Sequence, residues 1–216
     1  MKNYIDLTRP LYHDIQFDPC DPMVIMGKYK TLKRDGYNLL TMNLSTHSGT
    51  HIDAPKHVEE NGMGVGELDV TSFIGWATII DVPGIKADDL IEPEDLLNPD
   101  SINEGDIVLI RTYWEAHMWG AEGYFTKSPQ LSIDTLKFLS SYKIKALGVD
   151  MPVINRGSDE HRILFNSNIM IMEDLVNLDK IKTNKLFLIG LPLNIKEGDG
   201  APARIIGFTK FPDFKG

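Results

Sequence analysis

Seven short apolar runs recur along the chain, at 37–45, 76–82, 106–112, 144–150, 168–172, 185–191 and 203–209. Each is rich in Val, Ile or Leu and bounded by turn residues, a pattern that predicts strands. Apolar residues at helical spacing occupy 88–97, 132–142 and 158–165, which predicts three helices, the last two capped by Ser132 and Ser158. Strands outnumber helices and alternate with them only in part. The expected architecture is therefore a mixed α/β domain rather than a regular doubly wound sheet. The Gly-rich segment NGMGVGEL at 61–68 has neither the Lys-Ser/Thr of a phosphate loop nor dinucleotide-binding spacing, so it reads as a plain loop.

At 216 residues the chain has the length of one domain, 1–216. A formal charge of −9 without a basic cluster argues against nucleic acid as a partner. No apolar run approaches the roughly 20 residues of a membrane span, and the first residues contain no apolar signal core. A cytoplasmic location and a small-molecule partner are the expectations. The single cysteine, Cys20, excludes an internal disulfide. Set between Asp-Pro turns with no cation beside it, it is not expected to be a nucleophile.

The stretch HSGTHIDAPKH, 47–57, holds three of the six histidines. His47, His51, Asp53 and His57 share one parity, so an extended backbone directs all four to one side. A helix would align His47 with His51 and turn Asp53 away, and Gly49, Thr50, Ile52 and Pro55 oppose it. In a straight strand His47 and Asp53 would stand roughly 20 Å apart at the ~3.3 Å rise per residue. Both can reach one ion only if the chain bends, and Gly49 is the residue that permits a bend. Imidazole nitrogen with carboxylate oxygen suits zinc, manganese or iron(II) better than calcium or magnesium. Histidines gathered by chance on a surface would not explain the parity, the bend residue and the carboxylate together. Downstream, DEHRILFNSNIMIMED supplies His161 in a short helix and Glu173 after an apolar run. Taken singly, these two read more readily as a surface helix residue and an exposed or helix-starting acid.

The motif H-S-G-T-H-I-D-A-P-K-H, the His161–Glu173 spacing and DGAPAR at 199–204 resemble the cyclase family of metal-dependent hydrolases, which includes bacterial kynurenine formamidase and isatin hydrolase. The resemblance runs from IDLTRPLYHDI to LPLNIKEGDGAPAR. It implies a compact mixed-sheet β/β/α domain of the swivelling type, assembled as a homodimer or homotetramer. It makes His47, His51 and Asp53 metal ligands, with His161 and Glu173 completing a second metal position across a bridging Asp53. One or two ions, zinc or manganese, are implied, with His57 as the acid/base rather than a ligand. The activity implied is hydrolysis of an amide, formamide or lactam-type C–N bond. Lactone or ester hydrolysis at the same metal, or an inactive metal- or ligand-binding protein of the same fold, are the alternatives.

Two segments depart from kynurenine formamidases. QFDPCDP replaces their Trp-Pro-Gly-Asp, and Glu160-His161 replaces a histidine pair, so the substrate stays open. Trp114, Trp119 and Tyr124 are candidates both for a substrate wall and for loop packing. Arg204 is a candidate for holding a substrate anion or for a surface ion pair.

Overall fold

The structure, a computed structural model, describes residues 3–210. Its strands are β1 (Tyr4–Asp6), β2 (Ile25–Lys30), β3 (Leu39–Asn43), β4 (His51–Asp53), β5 (Ile74–Asp81) and β6 (Leu90–Ile91). The second half of the chain adds β7 (Ile107–Arg111), β8 (Gln130–Leu131), β9 (Ala146–Val149), β10 (Met170–Glu173), β11 (Lys185–Pro192) and β12 (Gly200–Phe208). The helices are α1 (Leu32–Asp35), α2 (Trp114–Met118), α3 (Ile133–Ser141) and α4 (Ser158–Phe165).

Eight strands form one mixed sheet in the order β1-β12-β11-β5-β7-β9-β10-β4. It closes on itself, because β4 pairs with both β10 and β12. Neighbours β5, β7, β9 and β10 run parallel, and β11, β12 and β4 are antiparallel to theirs. Parallel strands covered on both faces read as unbroken apolar runs, and Ile107–Ile110 and Ala146–Val149 are buried throughout. Leu136 and Leu139 of α3 and Leu164 and Phe165 of α4 join the same core. The mixed α/β class expected from the sequence is present, and all seven runs contain strands.

Two expectations change. Residues 88–97 form no helix; they hold β6 and a 3-10 turn at Pro93–Asp95. Pro93 lacks a backbone N–H and forces Glu92 into extended geometry, φ −96° and ψ 163°, which ends any helix there. Ser158 is the first residue of α4, whose N-cap is Gly157, and no side chain caps it. Segment 61–68 is a loop containing a 3-10 turn, Val65–Glu67. Ser132 does cap α3, its hydroxyl accepting from the Thr135 N–H.

Candidate metal centre

The expected ligands gather around β4, the strand that closes the barrel, which carries His51 and Asp53. Gly49 has φ +65°, a left-handed conformation that its missing Cβ allows, and a Cβ there would meet Leu11 at 2.8 Å. The reversal brings His47 Nδ1 to 2.8 Å from Asp53 Oδ1. On β4, His51 and Asp53 share a face while Ile52 enters the core. His51 lies opposite Glu173 in the ladder with β10. Its Nε2 is 3.2 Å from Asp53 Oδ1 and 3.4 Å from Glu173 Oε2. From α4, His161 Nε2 reaches 3.7 Å from Asp53 Oδ2 and 3.8 Å from Glu173 Oε1. The His57 ring, on the 3-10 turn after β4, lies 4.1 Å from that of His47 and 5.8 Å from that of His161.

Ring tautomers follow from what each outer nitrogen faces. His51 Nδ1 lies 2.7 Å from the Gly49 carbonyl, and His161 Nδ1 lies 2.8 Å from that of Gly157. A carbonyl can only accept, so both Nδ1 atoms donate and both Nε2 lone pairs turn inward. His47 Nε2 faces Asp199 Oδ2 at 3.0 Å, leaving its Nδ1 toward Asp53. His51 Nε2 and both Asp53 oxygens are buried without a hydrogen-bond partner among the described residues. Their short approaches therefore lack hydrogen-bond geometry, and acceptor atoms brought this close in a buried site favour a cation between them. A metal ion fits this donor set. Ligand atoms of His47, His51 and Asp53 all lie within 4.8 Å of one another, as do those of Asp53, His57 and His161.

Without a metal, protons take the cation's place. Burial presses the His51 imidazole toward neutrality, but Asp53 and Glu173 outweigh it and raise its pKa well above the ordinary value. Burial likewise opposes protonation of His161, yet Glu173 and Asp53 raise it to about 9. The Asp53 carboxyl, against its own burial, is held well below the usual range by His51 and His47. His57 behaves differently: burial lowers its pKa, and His47 and His161 add to the effect against the pull of Asp53 and Glu173.

The cluster lines a cavity of about 450 Å³ whose other walls include Ile15, Phe17, Val24, Phe125 and Val153. Cys20 is exposed and also lines it. The aromatic candidates are packing residues instead. Trp114 is buried and donates its indole N–H to the Tyr124 carbonyl, Tyr124 is fully buried, and Trp119 lies under the Arg9 guanidinium at 3.4 Å. From that segment Phe125 and Thr126 reach the cavity. Arg204 makes an exposed ion pair with Asp6 at 2.5 Å and does not line the cavity, because its position on β12 faces outward.

Three features of the site escaped the sequence reading. Asp199, inside the noted DGAPAR, lies 3.0 Å from His47 and 3.6 Å from His57 Nδ1 and accepts from the Thr46 hydroxyl at 2.8 Å. Gly200 beside it pairs with Asp53, and a Cβ there would meet the His47 ring at 2.8 Å, so glycine makes room for the imidazole. Behind the expected ligands, Arg9 holds both Asp174 oxygens at 2.6 and 2.7 Å. Asp174 follows Glu173, and its carbonyl accepts from Thr50, the residue before His51, at 2.6 Å. Their signal was adjacency alone.

The chain is similar to known proteins over most of its length. The family model described as "Putative cyclase" matches residues 5–156. A kynurenine formamidase of Bacillus thuringiensis (strain Al Hakam) is 33% identical over 209 residues, covering 94% of this chain and 96% of that protein. A crystal structure of an isatin hydrolase bound to the product analogue thioisatinate superposes with a TM-score of 0.83 at 27% identity, over 95% of this chain and 92% of that one. Isatin hydrolase A from Labrenzia aggregata bound to benzyl benzoate gives a TM-score of 0.82 at 25% identity, over 94% and 92%.

Proposed function

The chain belongs to the cyclase family, and from that premise we propose that it is a metal-dependent hydrolase cleaving an amide, formamide or lactam-type C–N bond of a small molecule. The observation that carries this is the group of buried, unpartnered ligand atoms, His51 Nε2 and both Asp53 oxygens, beside an apolar-walled cavity. His47, His51 and Asp53 would hold the ion, and His161 and Glu173 would hold a second across Asp53. Zinc or manganese is the proposed metal. When bound, the ion supplies Lewis acidity, which polarises a carbonyl and acidifies water.

The chain's own residues do the rest. The Gly49 and Gly157 carbonyls and Asp199 fix the imidazole tautomers, so no reorientation is needed when the site is loaded. His57 is the proposed acid/base. Its lowered pKa leaves the imidazole neutral near pH 7, able to take a proton from attacking water and return it to the departing nitrogen. Ile15, Phe17 and Phe125 offer an apolar wall for the substrate's carbon frame. The whole chain, 1–216, is proposed to act as one catalytic domain, since β1 and β12 from its two ends share one sheet. We propose further that it assembles as a homodimer or homotetramer and works in the cytoplasm.

Metal analysis of protein purified without chelator, paired with a panel of N-formyl amides, lactams, lactones and esters, tests this reading. Asp53→Ala should lose most bound metal, because it removes the carboxylate that His47, His51 and His161 all approach. Full stoichiometric metal in that variant would overturn the site, and turnover confined to lactones or esters would overturn the bond type.

A further inference from the structure

We infer that Asp199 and His57 form an outer zinc site at the edge of the catalytic centre, and that zinc held there switches the enzyme off. Among the described residues, ligand atoms of His47, His57 and Asp199 all lie within 4.8 Å of one another, a third such group beside the two that involve Asp53. Asp199 Oδ2 stands 3.0 Å from His47 Nε2 and 3.6 Å from His57 Nδ1. The first spacing is a hydrogen bond, and the second is too long for one. It is instead close to the separation of about 3.3 Å that two ligand atoms adopt on one tetrahedral zinc ion with bonds of ~2.0–2.1 Å.

The carboxylate is fixed before any ion arrives. Its Oδ1 accepts from the Thr46 hydroxyl at 2.8 Å, and the Asp199 backbone carbonyl accepts from the Ala54 N–H at 2.9 Å. Oδ2 has two lone pairs, and the His47 N–H takes one, which leaves the other for an ion shared with His57. Among the described residues no hydrogen bond engages the His57 ring, so nothing pins its tautomer and Nδ1 can present a lone pair. The side chains of His57 and Asp199 are 35% and 44% exposed, against 1% for Asp53, so added metal reaches this pair without entering the buried centre. Imidazole with carboxylate selects zinc over magnesium or calcium. Asp18 and Asp21 on the cavity wall, against the single Arg156, add a field that draws cations in.

The outer site offers two protein ligands and water, fewer than the His47, His51 and Asp53 set, so it fills only when zinc exceeds what the buried ligands hold. Its effect on turnover follows from the imidazole. With an ion on Nδ1, the one ring proton sits on Nε2, and such a ring has no lone pair left to take a proton from water. Hydrolysis stops while the buried ions stay in place.

The outer site rests on the hydrolase reading proposed above, and zinc titration of the full chain separates the two. By isothermal titration calorimetry, dialysed metal-loaded parent should bind one further zinc ion per chain at micromolar concentration, with turnover falling as that ion binds. Magnesium at the same concentration should do neither. Asp199→Asn keeps the side-chain volume but removes the anionic ligand, and His57→Asn removes the imidazole. Each should keep the tightly held metal and weaken the further ion about 10-fold or more. Residual turnover of Asp199→Asn should survive zinc concentrations that halve that of the parent. A dialysed parent with no tightly held metal overturns the hydrolase reading and the outer site with it. A metal-loaded parent that takes up no further zinc overturns the outer site alone, as do variants that bind that ion as tightly as the parent.

Discussion

His57 is the residue at which ligand and acid/base can be told apart. Its side chain is 35% exposed, against 4% for His51, and its Nδ1 stands 3.6 Å from Asp199. Its pKa moves down where those of the proposed imidazole ligands move up. His57→Asn should therefore keep metal near the parent level and lower kcat by roughly 10²- to 10⁴-fold, the usual worth of a positioned acid/base. KM should change little, since the lost interaction belongs to proton transfer. Metal content falling in step with activity would instead make His57 a ligand. Nitrogen atoms of His57 and His161 do lie within 4.8 Å of an Asp53 oxygen, so the measurement decides between two geometrically allowed roles.

At the scale of elements, three segments far apart in sequence are tied behind the site. The Arg9 backbone N–H donates to the Thr50 hydroxyl at 2.9 Å, and its guanidinium clasps Asp174, touches the Tyr124 hydroxyl at 2.9 Å and lies over Trp119. The clamp joins the segment after β1, the turn before β4 and the end of β10. Asp174 sits at φ +53°, a conformation that a non-glycine residue holds only when its surroundings enforce it. Arg9→Met should cost about 3–5 kcal/mol, because it strands the buried Asp174 carboxylate. Adding Asp174→Leu should recover part of that loss, since the uncompensated charge is gone. Urea unfolding of both variants checks this, and a single mutant as stable as the parent would show the pair to be dispensable.

For the whole molecule, closure of the barrel passes through β4, where Asp53 and Glu173 share a buried site. Metal or protonated histidines must balance that charge. His161, raised to about 9, and His47 and His51, also raised, bind protons more tightly folded than unfolded. Their contribution is fully present below the unfolded histidine pKa of about 6.5 and is lost as pH rises through the folded value. Chelator-treated protein should thus lose melting temperature steadily from about pH 6.5 to about 9. Metal-loaded protein should hold its melting temperature across that range, because metal binding improves as protons leave. Identical pH profiles for the two forms would mean that the cluster does not link closure to a cation.

Period-two parity in HSGTHIDAPKH, Gly49 at the bend and the seven apolar runs are local properties, and the sequence by itself determined them: strand content, the His/Asp stretch and its reversal depend on Cβ sterics and side-chain alternation within a few residues. Pro93 showed the limit of apolar spacing, which suggested a helix where one missing N–H forbade it. Closure of the sheet by β4 between β10 and β12 was decided only by tertiary structure. So were the convergence of Asp199 on His47, the burial of Trp114 and Tyr124 away from the cavity, and the outward turn of Arg204. Each depends on pairing between segments distant in the chain or on which face of a strand meets solvent. Only the closed barrel fixes those relations, because strand register, not local preference, sets which distant side chains share a site.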